Sequence, residues 1–183
     1  LLLTATCSQT NVQMIKDNLG LLDLNVFRSS TISRPEIQLE VLNKPAQKEN
    51  QTKLLLDLVQ LNFPNRCIVY FATIDDCDTY YNVLAKHFGL NIVGKYHGSM
   101  PSKNQNINLE NWKNGQLKLI SATTAFGIGL NVNDVRAVIH TTFPISIDEL
   151  VQETGRAGRN GMAAKNVIMY SSSDIRTLLL IIS

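Results

Sequence analysis

The stretch that decides the fold class, residues 67–96, reads CIVYFATIDDCDTYYNVLAKHFGLNIVGKY. Its apolar start, Cys67–Ala72, predicts a buried strand. Thr73 is then placed to cap a helix that Gly89 ends, since threonine favours the start of a helix and glycine the position after its last turn. Asn91–Tyr96 predicts the next strand. Two buried strands joined in this way through a helix form a right-handed crossover between parallel strands.

The same alternation of strand and helix continues on both sides of this stretch. Apolar runs predict further strands, and helical stripes bounded by glycine or capping residues predict helices. Residues 1–6 and 25–29 are also expected to be extended. The sequence therefore predicts the α/β class, a three-layer sandwich with a mainly parallel central sheet and ligands at the carboxyl ends of its strands. The remaining strands are predicted at 37–42, 117–122, 135–142 and 166–170, and the helices at 8–19, 48–61, 101–114, 148–154 and from 173 onwards.

Composition allows one full-sized domain and excludes several classes of protein. The 183 residues are 44% hydrophobic, and the formal net charge of +2 does not by itself demand a nucleic-acid partner. The three cysteines lack zinc-binding spacing, and the longest apolar runs are far shorter than a membrane span. The three leading leucines lack the features of a signal peptide, so we expect an intracellular protein with no membrane partner. The first residue is not methionine, which favours a fragment of a longer chain.

The most informative string is QETGRAGRNG at residues 152–161. Arg156 and Arg159 are three residues apart, and we expect them on one side of a helical turn. The interleaved glycines let the backbone approach a ligand, and a planar, permanently charged guanidinium suits the equatorial oxygens of a transferring phosphoryl group. The pattern indicates arginines that act on a nucleotide. The alternative is a glycine-rich surface turn whose arginines are only solvated or paired with acids.

Two other patterns imitate nucleotide or metal sites. Residues 89–96, GLNIVGKY, match the phosphate-binding loop G-x-x-x-x-G-K, but Tyr96 stands where the magnesium ligand Ser or Thr belongs, and the middle of the string is itself a predicted strand. Asp148 and Glu149 follow Ser146 at a predicted helix start, where acidic residues favour the helix dipole. We therefore predict neither a phosphate cradle nor a metal-binding site from these residues.

The string at 152–161 resembles motif VI of the RecQ family of superfamily 2 helicases, and other helicase motifs precede it in the family's order. The resemblance covers nearly the whole chain. Ala-Phe-Gly-x-Gly together with QETGRAGR distinguishes RecQ-like proteins from DEAD-box RNA helicases, which usually place His-Arg before a similar core. The matching segments are Leu3–Thr6 for motif III, Ile68–Thr73 for motif IV, Tyr96–Met100 for the Tyr-His-Ala-Gly-Leu segment, Ala122–Asn131 for motif V with its continuation Val135–His140, Phe143–Pro144, and Tyr170–Leu178.

The resemblance implies a RecA-like fold and a division of the chain. Residues 1–30 would be the end of the first lobe, with motif III and a connecting helix. Residues 31–183 would be the second RecA-like lobe, the helicase C-terminal domain. ATP with Mg²⁺ would be bound mainly by the first lobe, which would precede Leu1, and zinc-binding and winged-helix segments would follow Ser183. The implied partners are single-stranded and duplex DNA and the first lobe.

The resemblance also implies a role for each matching site residue. Arg159 would be the arginine finger that reaches the γ-phosphate across the cleft between the lobes, with Arg156 as its companion and Gln152 at the same cleft. The residues implied to bind the nucleotide are Gly127, Gly129, Asn131 and Gly155. Those implied to bind nucleic acid are Thr73, Thr123, Thr124 and His97. Thr123 and Thr124 would offer their hydroxyls and backbone N–H groups to a DNA phosphate.

Structural alternatives stay open for several of these residues. Thr73 is equally well explained as an N-cap, and Thr123 and Thr124 as the end of a strand. His97 is also explained as a satisfied interior histidine. Trp112 is expected to pack a helix against the sheet, because an aromatic residue that stacks on bases more often lies on an exposed loop or groove.

The chain departs from the family pattern at four places. Asn160 stands where aspartate is common, Leu150–Val151 where two aromatic residues are common, Gln105 where arginine is usual, and Thr73–Ile74 where Ser-Arg is usual. The loss of two arginines is expected to weaken phosphate contacts or structural ion pairs. Both motif VI arginines remain.

Two functions from different classes follow, and a third is disfavoured. The first is the second motor lobe of a RecQ-like 3′-to-5′ ATP-dependent DNA helicase, an ATP hydrolase in its full-length context but inactive as an isolated fragment. The resemblance associates such a protein with DNA repair and recombination and, in a eukaryote, with the nucleus. The second is a non-catalytic remnant that binds nucleic acid or protein. A nucleotide-cofactor oxidoreductase is disfavoured because no G-x-G-x-x-G follows the first strand.

Overall fold

The computed structural model describes residues 2, 7, 9–21, 23–28, 33–127 and 132–182. Every strand and helix predicted between residues 37 and 182 is confirmed, with ends that differ by at most two residues. None of the described helices has the length and apolar character needed to cross a membrane. The elements are α1 Gln9–Leu19, β1 Ile37–Asn43, α2 Lys48–Asn62, β2 Arg66–Tyr70, α3 Ile74–Phe88, β3 Val93–Tyr96, α4 Ser102–Lys113, β4 Leu119–Ala122, β5 Val135–His140, α5 Ile147–Thr154, β6 Ala164–Tyr170 and α6 Asp174–Ile182.

The chain divides into two compact units. The first, Leu1–Pro35, contains α1, which ends as predicted at Gly20, whose φ is 62°. Residues 25–28 belong to no helix or strand, and the predicted motif III, Leu3–Thr6, lies outside the described residues. The second unit, Glu36–Ser183, holds all the other elements. The domain boundary between residues 30 and 31 stays a prediction.

The second unit is built on a six-stranded sheet in the order β1-β6-β5-β2-β4-β3, in which every neighbouring pair is parallel. This arrangement confirms the predicted α/β sandwich. The chain moves from β5 to β6 on one side and from β2 towards β3 on the other, so the winding direction reverses between β5 and β2. The carboxyl ends of the strands beside such a reversal are where ligands bind in open α/β sheets.

Alternate residues of β2 contribute to two hydrophobic cores on opposite faces of the sheet. Cys67 and Val69 pack with apolar residues of α2 and α3, whereas Ile68 and Tyr70 pack with Trp112 of α4. Trp112 is only 1% exposed, which confirms that it packs α4 against the sheet. Both faces of the sheet are therefore covered, as a parallel sheet requires.

Candidate functional site

Motif VI begins in the last turn of α5 and continues in the loop that leads to β6. The helix ends at Thr154, so both arginines lie beyond it. The Arg156 amide still donates to the Glu153 carbonyl at 3.2 Å, but Gly158, with a φ of 63°, then turns the chain. Arg156 is buried and Arg159 is exposed. The prediction that they stand on one side of a helical turn is therefore wrong, because the left-handed residue between them changes the direction of the chain.

Arg156 joins motif VI to motif V from inside the domain. Its Nη1 donates to the Gly127 carbonyl at 2.5 Å, and its side chain is close to the Tyr70 hydroxyl. Gly127 has a φ of 123°, and a Cβ atom at this position would overlap the guanidinium group. Burial raises the pKa of Tyr70, although the neighbouring guanidinium opposes this shift. The geometry makes Arg156 a clamp between two loops.

Arg159 is the motif VI arginine that reaches the surface. Its Nε donates to the Gly155 carbonyl at 3.2 Å. With Arg156 it borders a narrow cavity of about 10 Å³ between motifs V and VI. Gln152 is exposed in the last turn of α5. One guanidinium and one amide are thus presented to the outside from the same short segment.

Sequence reasoning missed a buried histidine–carboxylate pair behind this segment. His140 Nδ1 lies 3.2 Å from Glu153 Oε2, and the two side chains are 2% and 5% exposed. The histidine is the last residue of β5, and the glutamate is in the last turn of α5. A signal was present, since a histidine closes a strand that is mostly apolar, but nothing in the sequence shows that the two residues meet.

The start of motif V offers part of the predicted phosphate-binding surface. Thr123 is buried, and its amide donates to the Tyr96 carbonyl at 3.1 Å, so this N–H is not available to a phosphate. Thr124 is exposed. Gly129 and Asn131 lie outside the described residues. Phosphate contacts through the threonine hydroxyls therefore stay predictions.

Thr73 is the N-cap of α3. Its hydroxyl accepts from the Asp76 amide at 3.1 Å and donates to the Asp76 carboxylate at 2.9 Å. This geometry confirms the N-cap alternative. Asp75 and Asp76, in the first turn of the helix, also place negative charge where a phosphate would approach. A phosphate contact at Thr73 stays a prediction, and it is the least favoured electrostatically of the four predicted nucleic-acid contacts.

His97 is buried and bonded to an acidic residue. Its Nε2 lies 3.2 Å from Asp78 Oδ1, which also accepts from Lys95 Nζ at 2.6 Å. The hydrogen bond from Lys95 lowers the pKa of Asp78, assisted by the charge of Lys95 and by the contact with His97. The other ring nitrogen of His97 has no partner within the described part of the chain. The interior-histidine alternative is thus confirmed for one nitrogen, and contact with nucleic acid stays a prediction.

Both imitating patterns have structural explanations. Ser146 accepts from the Glu149 amide at 3.1 Å, and the Glu149 carboxylate accepts from the Ile145 amide at 2.9 Å. These bonds resemble a capping box at the start of α5, with the carboxylate on the amide one residue before the N-cap, and partial burial raises the pKa of Glu149. The second half of the G-x-x-x-x-G-K match is strand β3, Val93–Tyr96, and not a phosphate loop.

Two departures from the family pattern have clear roles in this fold. Gln105 Nε2 donates to the His97 carbonyl at 3.0 Å and so holds the loop after β3. Asn160 Oδ1 accepts from Arg136 Nη1 at 2.9 Å and from the Met162 amide at 3.3 Å. Neutral side chains therefore hold loops where charged residues are common in the family.

A larger cavity of about 220 Å³ opens at the carboxyl ends of the strands, beside the reversal of winding direction. Lys44 and Lys48 contribute positive charge to its wall, and Asp76 contributes negative charge. Lys44 is already paired with Asp174 at 2.8 Å. The mixed charge of this cavity does not select one class of ligand.

Comparison with known proteins gives these motifs a family. The model for the helicase conserved C-terminal domain matches residues 50–161. The chain is 33% identical, over 94% of its length, to a putative ATP-dependent DNA helicase Q1 of Caenorhabditis briggsae, and covers 28% of that protein. It is 30% identical, over 83% of its length, to ATP-dependent DNA helicase RecQ of Bacillus subtilis, and covers 25% of it. The chain thus spans about a quarter of the length of these curated relatives.

Solved structures show the same fold. Saccharomyces cerevisiae Dbp5 bound to RNA and ADP BeF3 matches with a TM-score of 0.78 at 18% identity, over 97% of this chain and 46% of that one. Mycobacterium smegmatis helicase Lhr bound to ssDNA and AMP-PNP matches with a TM-score of 0.61 at 21% identity, over 73% of this chain and 19% of that one. Identities this low establish the fold alone, which is RecA-like. The chain belongs to the family of helicase conserved C-terminal domains, as the RecQ-like form of the second helicase lobe.

Proposed function

We propose that this chain is the second motor lobe of a RecQ-like 3′-to-5′ ATP-dependent DNA helicase and that Arg159 is its arginine finger. The observation that carries the proposal is the different placement of the two motif VI arginines. Arg156 is buried against the Gly127 carbonyl, whereas Arg159 is exposed on the following turn. An arginine finger has to reach a nucleotide held by another lobe, and a clamped, buried guanidinium cannot do so without leaving its carbonyl partner.

The described residues fit a supporting role towards ATP with Mg²⁺ and not its main binding site. The one sequence match to a phosphate loop in this chain runs into strand β3, so the β- and γ-phosphates and the metal would be held mainly by the first lobe. Bound there, the nucleotide would supply the phosphoanhydride bond whose hydrolysis drives the motor. Arg159 would neutralise negative charge that develops on the γ-phosphoryl oxygens, with Gln152 beside it.

The strand of DNA would lie at the carboxyl edge of the sheet. Thr124, at the exposed end of β4, is the best placed of the predicted phosphate contacts. Motif V continues from there to Gly127, whose carbonyl holds Arg156. The same loop would therefore link the DNA contact to motif VI, which supports coupling between nucleotide and strand.

The finger is tested by Arg159→Ala in a two-lobe protein that contains this chain. We expect DNA-stimulated ATP turnover to fall by about 10³–10⁵-fold, the contribution typical of an arginine finger. The matched control is Arg176→Ala, because Arg176 is an exposed arginine on α6, away from motif VI in sequence. Turnover that stays within about threefold of the unsubstituted protein, against this expected loss, would refute the assignment.

A second function is favoured by the small net charge of +2. It is a lobe that binds nucleic acid or a partner protein without turnover. Single-stranded DNA should then bind weakly, with an affinity that falls steeply as salt rises. A titration at low salt that shows no binding would leave only a protein-interaction role. Roles in repair, recombination and the nucleus belong to the first proposal and stand with it.

A further inference from the structure

The buried pair His140–Glu153 stands out because α5 is otherwise shallowly packed. Of the eight residues of α5, all of which the structure describes, only Glu153 is fully buried. Ile147 and Val151 are exposed on the same helix. A carboxylate, and not an apolar side chain, is therefore the deepest anchor of the helix that leads into motif VI.

This buried polar pair is energetically costly as an anchor for a helix. The second carboxylate oxygen, Glu153 Oε1, and the second ring nitrogen, His140 Nε2, are buried without a hydrogen-bond partner within the described part of the chain. Buried polar pairs with unsatisfied atoms contribute little to net stability compared with apolar residues of similar size. The pair does set the orientation of α5. A 3.2 Å contact between two defined atoms fixes both the rotation of the helix and its position along β5.

From this pair a closed ring of contacts leads to both functional loops. The His140 ring stacks on Tyr70 with centroids 5.5 Å apart and planes 16° apart. The Tyr70 hydroxyl donates to the Phe126 carbonyl at 3.2 Å, in motif V. The next carbonyl along the chain accepts from Arg156, whose own amide donates back to the Glu153 carbonyl.

We propose that His140 and Glu153 are positioning residues for the arginine finger. They fix the end of α5 against β5, and the ring of contacts transfers this position to the turn that carries Arg159. They touch neither nucleotide nor DNA. The proposal rests on the proposed function, because it requires Arg159 to act on the phosphoryl group.

The first test is a pair of substitutions at Glu153 in the two-lobe protein. Glu153→Ala removes the acceptor for His140, and displacement of a reacting group by about 1 Å costs about 10²-fold in rate. We expect kcat for ATP to fall by about this factor while KM changes by less than about threefold. Glu153→Gln keeps an oxygen acceptor at the same place and should recover most of kcat. Equal losses in the two variants, or a loss expressed only in KM, would overturn the proposal.

The second test is a double-mutant cycle with Arg159→Ala. If Glu153 acts through Arg159, adding Glu153→Ala to Arg159→Ala should lower kcat very little, because the two substitutions remove the same effect. A multiplicative loss would overturn the positioning role while leaving the finger intact. No effect of Arg159→Ala alone would instead overturn the proposed function. Where Glu153→Ala fails to fold, the same cycle with His140→Phe replaces it, because phenylalanine keeps a ring beside Tyr70 but has no nitrogen to meet the Glu153 carboxylate.

Discussion

Gly127→Ala tests the contact on which the geometry of motifs V and VI depends. Gly127 has a φ of 123°, which side chains rarely tolerate, and its new Cβ would overlap the Arg156 guanidinium. Backbone strain of this kind costs about 1–3 kcal/mol. Displacing the guanidinium also removes a charge-assisted hydrogen bond to the Gly127 carbonyl, worth about 1.5–3 kcal/mol. We therefore expect a loss of about 2.5–6 kcal/mol in the free energy of unfolding.

Two matched glycines separate strain from overlap. Gly161 has a φ of 76° and open space around its missing Cβ, so Gly161→Ala should cost only the strain. Gly98 has neither a positive φ nor a neighbour within 4 Å, and Gly98→Ala should change stability by less than about 0.5 kcal/mol. The expected order of destabilisation is 127, then 161, then 98.

The stability of each variant is measured by urea unfolding of the chain, with circular dichroism as the signal. With a slope of about 2 kcal/mol per molar urea, the Gly127→Ala midpoint should fall by about 1–3 M. The difference between the unfolding free energies of Gly127→Ala and Gly161→Ala gives the contribution of displacing the Arg156 guanidinium. Unfolding free energies of Gly127→Ala and Gly161→Ala that agree within about 0.5 kcal/mol would refute the clamp, because strain alone would then explain both.

Two further predictions concern titratable groups. Burial raises the pKa of Cys67 to about 12 and also raises that of Cys77. A disulfide reagent should therefore modify one thiol in the folded chain and all three in guanidinium chloride. Rapid modification of a second thiol in the folded chain would contradict this expectation. The pKa of Asp78 is lowered chiefly by the hydrogen bond from Lys95, so its contribution to stability is present above the usual aspartate pKa of about 3.9 and is lost as the pH falls through the lower folded-state value. Urea midpoints followed from about pH 5 downwards should therefore fall more steeply for the unsubstituted chain than for Lys95→Met, and parallel curves would count against the pairing.

Local signals explain why the elements were predictable. Thr73 and Ser146 cap helices through their own side chains, and Gly89 ends α3 with a φ of 110°. Each of these signals acts within about four residues, so it is legible in a linear sequence. The runs of β2 and β5 are equally local, because all of their residues except the partly exposed Arg136 are buried.

Contacts between distant residues explain what could not be predicted. Thr123 was predicted to offer its amide to a phosphate, but β3 lies alongside and its Tyr96 carbonyl takes that N–H. His140 and Glu153 are separated by a loop and most of a helix, and their pairing depends on how α5 lies on β5. Such pairings are decided by strand order and helix placement, which residue spacing does not encode.

The sequence by itself determined the fold class, the order of strands and helices, and the family, because capping residues, apolar periodicity and motif strings are all local. Only the tertiary structure decided which motif VI arginine is exposed and which is buried. Arg156 and Arg159 are alike in sequence, but Gly158 turns the chain between them and Gly127 leaves room for one guanidinium inside the domain. The chemical difference between the two arginines is therefore a consequence of packing.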